Sequence, residues 1–206
     1  MDKIVYNIKN KTLYNKKKYT KKDMIDIIAN NSLQLLGLRI ICNNYEIDKD
    51  HNDYIETLAI DTNFQLVLVE YRMGKFTRVI KNGLMQIDYI NSHISEFKIL
   101  INDILKEDAK NVIYNPRLVI IGESFNKLDG DSISHLPYEI DLISLDVYDN
   151  DMISLNKIYT SRNVDLSFYS IKLNDNEKDL IFELNDFVLS FGEEISIQAL
   201  YNIIVY

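Results

Sequence analysis

The chain has 206 residues, 47% hydrophobic and 26% charged, with a formal net charge of −8. That is apolar material for one sizeable core plus a small appendage, and it excludes a disordered or low-complexity protein. Two prolines and six glycines argue against a loop-rich chain, and one cysteine, Cys42, excludes an internal disulfide and a cysteine-ligated zinc centre and points to a reduced, cytoplasmic setting.

The leader sets the charge pattern. Residues 1–22 hold eight lysines and one acid, so the remainder carries 15 basic against 30 acidic residues, a balance of −15. Lys16, Lys17, Lys18, Lys21 and Lys22 form a basic arm able to touch nucleic-acid phosphates. The alternative is a solvated leader lying against its own acidic domain. The segment lacks the apolar region of a signal peptide. No run approaches the roughly 18 apolar residues that span a bilayer, so no membrane partner is expected.

Thr20 and a charged turn open "KKDMIDIIANNSLQLLG", where Met24, Ile27, Ile28 and Leu35 recur at helical spacing and Gly37 is the stop. "LRIICNNYEI" (38–47) reads as a strand and "DKDHND" (48–53) as a polar loop. "YIETLAID" (54–61) and "FQLVLVEYR" (64–72) read as strands joined by a tight Asp-Thr-Asn turn. One long helix is expected from about Phe76 to Lys106, on the stripe Ile80, Leu84, Ile87, Ile94, Phe97, Ile101, Leu105. "PRLVIIGESF" (116–125) has the apolar run of a strand buried on both faces, and a helical turn near Ser132–Leu136 follows. "EIDLISLDVYD" and "MISLNKIYT" read as a hairpin around Asp149-Asn150.

Residues 1–160 thus form one domain and 161–173 a linker. Asn174 with Glu177 has the form of a capping box opening a helix over 175–191, and "ISIQALYNIIVY" is a closing strand. This small C-terminal domain, 174–206, needs something to pack on: the main domain, a second copy, or residues beyond 206. The order α-β-β-β-α-β makes an α/β (α+β) fold, a mixed central sheet flanked by helices.

The candidate site lies in "LVLVEYRMGK". Side chains two apart on a strand share a face, so Leu66, Leu68, Glu70 and Arg72 line one side. On the preceding strand Glu56 shares a face with Leu58 and Ile60. A three-residue turn pairs Asp61 with Gln65, and so Glu56 with Glu70; a two-residue turn pairs Asp61 with Phe64 and sends the two acids to opposite faces. Converged, the two carboxylates are hard oxygen ligands for Mg²⁺ or Mn²⁺, and a nearby cation offsets charge growing on a phosphate. The plain alternative is a Glu70–Arg72 ion pair at a strand end.

In "YIETLAID", "LVEYRMGK", "VIKNGL", "RLVIIGESF", "LPYEIDLISL" and "SLNKI", in that order, the chain resembles the PD-(D/E)XK, or restriction-endonuclease-like, superfamily. More narrowly it is similar to a group of largely uncharacterised bacterial proteins with a small C-terminal domain, whose start "LIFELNDFVLSFGEEISIQALYNIIVY" resembles; members of the group usually continue past this point. The resemblance covers about Tyr6 to Tyr159. It implies an αβββαβ core and a site made of a helix acid, an Asp, Glu-x-Lys and a Gln on the next helix. Glu70 keeps the central acid. Glu56 stands for Asp, Arg72 for Lys, Asn82 for Gln, and Lys21 reverses the helix acid. Lys75 and Asp23 are the nearest substitutes for the missing Lys and helix acid. The resemblance implies a nucleic-acid-binding protein with an altered site for metal-dependent DNA cleavage. The alternative is a non-catalytic interaction or assembly module, a homodimer, that keeps only the scaffold.

Other signals carry less. "DKDHND" fails calcium-loop spacing, with Asp53 at the sixth position and Ala59 at the twelfth. Ser124 in "GESF" lacks the second glycine of a nucleophile elbow. His51, His93 and His135 lie in separate elements.

Overall fold

The computed structural model describes residues 5–9, 11–48, 53–73 and 76–161, and the backbone of 198–200 and 203–205. The chain divides into two compact units, Met1–Ser161 and Arg162–Tyr206. Beyond Ser161, the expected linker and the helix over 175–191 lie outside the described residues.

A short hairpin, β1 (Val5–Asn7) and β2 (Thr12–Tyr14), precedes α1 (Lys21–Leu36). Thr20 caps α1 with a full capping box: its hydroxyl accepts from Asp23 N–H and the Asp23 carboxylate accepts from Thr20 N–H. Gly37 ends α1 at φ 64°, a conformation open to glycine without a Cβ penalty. β3 (Arg39–Asp48), β4 (Asp53–Ile60) and β5 (Gln65–Arg72) form an antiparallel meander.

The single long helix expected next is two, α2 (Phe76–Ser92) and α3 (Ile94–Leu105), followed by a 3₁₀ turn, Lys106–Asn111. The break falls at His93, whose N–H reaches both Tyr89 O and Ile90 O and whose ring stacks on Tyr89 at 4.1 Å. The apolar stripe runs through the break because both helices pack on the same core.

β6 (Ile113–Gly122) then pairs parallel to β5. Its register with β5 is irregular between Gln65 and Val67, beside Pro116, which has no N–H for a ladder. The helical turn expected near Ser132–Leu136 is a full helix, α4 (Lys127–Ser134), because Asn126 and Asp129 make a second capping box. β7 (Ile140–Val147) lies parallel to β6, and β8 (Ile153–Thr160) returns antiparallel through Asn150 and Asp151, both at positive φ.

The sheet order is β3-β4-β5-β6-β7-β8. Leu66 to Tyr71 and Leu118 to Ile121 are all buried, as befits central strands covered on both faces. One face, with Leu66, Leu68 and Ile120, packs on Ile87 and Ile90 of α2 and Phe97 and Ile101 of α3. The other, with Val67, Val69 and Tyr71, packs on Met24 and Ile28 of α1. Gly83 brings α2 close to the sheet: a Cβ there would lie 2.6 Å from Leu118 Cδ2.

In the second unit, β9 (Gln198–Leu200) and β10 (Ile203–Val205) pair antiparallel. The expected single closing strand is therefore a hairpin. No helix among the described residues is long and apolar enough to cross a membrane.

Candidate active site

The site begins at the β4–β5 turn. Asp61 Oδ1 accepts from the N–H of Asn63 (2.9 Å) and of Gln65 (3.0 Å). Asp61 N–H donates to Gln65 O at 3.0 Å, and Phe64 takes φ 62°. This is the three-residue connection, a turn followed by a left-handed residue. It sets Ile60 opposite Leu66 and Thr57 opposite Val69. One pair further, Glu56 stands opposite Glu70, on the face toward α2.

At that point the two strands stop exchanging ladder bonds, and side chains take over. Glu56 Oε2 accepts from Tyr71 N–H at 3.0 Å. Its other oxygen is ion-paired with Lys21 Nζ, which projects from the first turn of α1. Glu70 Oε1 accepts from Gln86 Nε2 at 2.6 Å, and the same amide nitrogen reaches Tyr54 O at 3.3 Å. Gln86 Oε1 is buried without a hydrogen-bond partner.

Glu56 and Glu70 are only 7% and 3% exposed, yet both line a cleft of about 810 Å³ with Lys21, Arg78, Asn82 and Gln86. Burial first, and then the Glu56 charge, pushes the Glu70 carboxyl up to about 7, against the Gln86 hydrogen bond and the Lys21 charge, which pull it down.

The sequence-predicted residues separate into two sets. Glu56, Glu70, Asn82 and Lys21 line one cleft. Arg72 is not in that lining. Its guanidinium donates to Asp129 Oδ2 and to Ser124 O, both at 3.0 Å, and lies 5.0 Å from the Phe125 ring centroid. It follows the polypeptide past the end of β5 and pins the cap of α4. Lys21 pairs with Glu56 and Arg72 with Asp129, where the alternative reading had a Glu70–Arg72 strand-end pair.

Asp23 is spent on the α1 cap, where the Thr20 hydrogen bonds hold its carboxyl below the usual range. Asn82 is present in the lining, but the amide that touches Glu70 is Gln86, four residues on and one turn along the same helix face. That spacing is the signal that would have found it. Lys75 lies outside the described residues. Lys16 and Lys17 turn to the β7–β8 end, at 2.5 Å from Asp146 and 3.9 Å from Asp149, and Lys18 and Lys22 are exposed.

Among the described residues, no three His, Cys, Asp or Glu converge. Two carboxylates on hard oxygens nevertheless suit Mg²⁺ or Mn²⁺, which take one or two protein ligands and fill the rest with water. Gln86, whose amide holds Glu70, also lines this cleft, and its Oε1 is a buried acceptor without a hydrogen-bond partner.

No family model matches the chain, and no solved structure matches it. The chain is 26% identical over 161 residues to an uncharacterized protein of Haemophilus influenzae, a match that takes in 76% of this chain and 51% of that protein. The chain thus spans about half the length of the curated relative.

Proposed function

We propose that the Glu56–Glu70 cleft hydrolyses phosphodiester bonds of nucleic acid with a divalent cation, on a PD-(D/E)XK scaffold whose cationic residue has moved from β5 to α1. The observation that carries this reading is the register. It sets two buried carboxylates against each other in one open cleft with an ammonium between strand and helix. Two carboxylates forced together with Glu70 at about 7 are poorly served by one lysine, and a divalent cation relieves them better.

Glu56 and Glu70 would hold Mg²⁺ or Mn²⁺, which when bound polarises a phosphoryl oxygen and lowers the pKa of a coordinated water. Lys21 keeps a positive charge at the Glu56 carboxylate, where negative charge would grow on a bound phosphoryl group. Gln86 fixes Glu70 through Nε2.

The test is calorimetric titration of the full chain with Mn²⁺, followed by incubation with single-stranded and duplex DNA and RNA. Saturable binding and cleavage, both lost in Glu70→Gln, are expected. No Mn²⁺ binding, or cleavage that persists in Glu70→Gln, overturns the proposal.

The Lys21–Glu56 ion pair favours a second reading, a non-catalytic binding module in which lysine is the permanent counter-ion. Lys21→Met separates the two. For a metal site it raises Mn²⁺ affinity by freeing Glu56 and lowers cleavage. For a binding module it lowers stability and gives no metal binding.

A further inference from the structure

Around the carboxylates the cleft is rimmed by large apolar side chains that the core leaves out. Tyr54, Met73 and Met85 line it while 39%, 39% and 55% exposed. Tyr54 is tied to the reacting centre, since the Gln86 amide nitrogen that holds Glu70 also holds the Tyr54 carbonyl.

Charge points the same way. The described cations of the lining are Lys21 and Arg78, against the acids Asp53, Glu56 and Glu70. Lys16 and Lys17 of the leader are engaged at Asp146 and Asp149. A protein that tracks a duplex neutralises about 6–10 phosphates with Lys and Arg. This cleft offers two cations and a platform of ring and thioether. Single strands are held by base stacking on aromatic faces beside a cationic path for the backbone. Thioethers add polarizable contact to an aromatic ring.

We infer that the cleft takes single-stranded nucleic acid, with a base stacked on Tyr54 against Met85 and Met73 and the adjoining phosphate at Arg78 and Lys21, and that it rejects intact duplex. The inference rests on the phosphodiester reading of the same site and names its substrate class. Duplex is rejected because its bases are already stacked and its dense phosphates meet an acidic body. A single strand presents the free face that Tyr54 requires.

The experiment is fluorescence anisotropy of the full chain in Ca²⁺ with labelled oligo-dT, oligo-U and a duplex of equal length. Calorimetric Mn²⁺ binding is measured separately, and thermal melts confirm that variants fold. One or both single strands are expected to bind at least about 10-fold tighter than duplex, with Tyr54→Ala losing about 10-fold and Met85→Ser less. The slope of log affinity against log salt is expected at about −1.4, for two phosphate contacts. Oligo-dT against oligo-U decides between DNA and RNA, and either preference supports the inference. Equal or tighter duplex binding, or Tyr54→Ala within twofold of wild type, overturns it. Duplex cleavage without single-strand binding overturns this inference alone. Tyr54-dependent single-strand binding without Mn²⁺ binding overturns only the hydrolytic reading.

Discussion

At the scale of single residues, Glu70 carries the cost of the site. Its carboxyl is buried beside a second acid and titrates at about 7 instead of the ordinary 4.5. The folded state therefore holds a proton that the unfolded state releases, so Glu70's contribution to stability is greatest below about 4.5 and declines as pH rises toward about 7. The decline attributable to Glu70 is on the order of 3 kcal/mol. Glu70→Gln keeps the shape and can still accept from Gln86 Nε2, but it has no charge to bury. In EDTA, urea unfolding of wild type and variant should agree near pH 4.5 and diverge up to pH 7, with the variant the more stable at neutral pH. Parallel curves across that window would show that Glu70 ionises freely. Under the proposed hydrolysis, activity and stability oppose each other at this one side chain.

At the scale of elements, the site depends on a turn it does not touch. Asp61 accepts from Asn63 and Gln65 N–H with one oxygen and from Arg117 Nε, at 3.3 Å, with the other. Arg117 also donates to buried Asp141 at 3.0 Å, so Asp61 links the hairpin to the far strands. Asp61→Ala removes the turn's acceptor and one counter-charge of a buried guanidinium, and is expected to cost about 2–4 kcal/mol in denaturant unfolding. Asp61→Asn, which keeps the turn acceptor, should cost less. Gly83→Ala tests the helix side. Alanine gains about 1 kcal/mol of helix propensity, but its Cβ would meet Leu118 Cδ2 at 2.6 Å in a fully buried core. Overpacking of about 1–3 kcal/mol is expected to win, lowering the melting temperature. These details also mark where the sequence stops being legible. Strand periodicity places Glu70 and Glu56 each on a definite face. Register parity follows from how Asp61 spends its carboxylate and from Phe64 at φ 62°, which alternation does not encode. The helix break at His93 carries no Pro or Gly, and its apolar stripe continues unbroken. Lys21 and Gln86 reach the pair from two different helices; the resemblance points to Lys21 and the four-residue spacing from Asn82 points to Gln86, but their contacts with Glu56 and Glu70 follow only from the packing of those helices on opposite faces of the sheet.

At the scale of the molecule, the question is what the leader's lysines are for. A net charge of −8, with eight lysines in residues 1–22, leaves an acidic body of −15 behind a basic leader. The leader is laid onto that body. Lys17 N–H donates to Val147 O at 2.8 Å, Asn15 N–H donates to Asp149 at 3.1 Å, and Lys16 sits 2.5 Å from Asp146. Lys16 and Lys17 are about half exposed, at 54% and 50%, so each ion pair contributes under about 1 kcal/mol. Their larger effect is on the long-range field, where they offset the acids of the β7–β8 end. Lys16→Gln, Lys17→Gln and Lys18→Gln combined should therefore shift unfolding by about 1 kcal/mol or less. Affinity for a single strand should fall within about threefold, chiefly through a slower on-rate at low salt. Arg78→Ala, one exposed residue in the cleft wall, should cost more affinity than the three leader lysines together. Stopped-flow association at two ionic strengths separates the contributions. If the triple variant abolishes binding while Arg78→Ala does not, the phosphate path runs along the leader and the cleft holds no substrate phosphate.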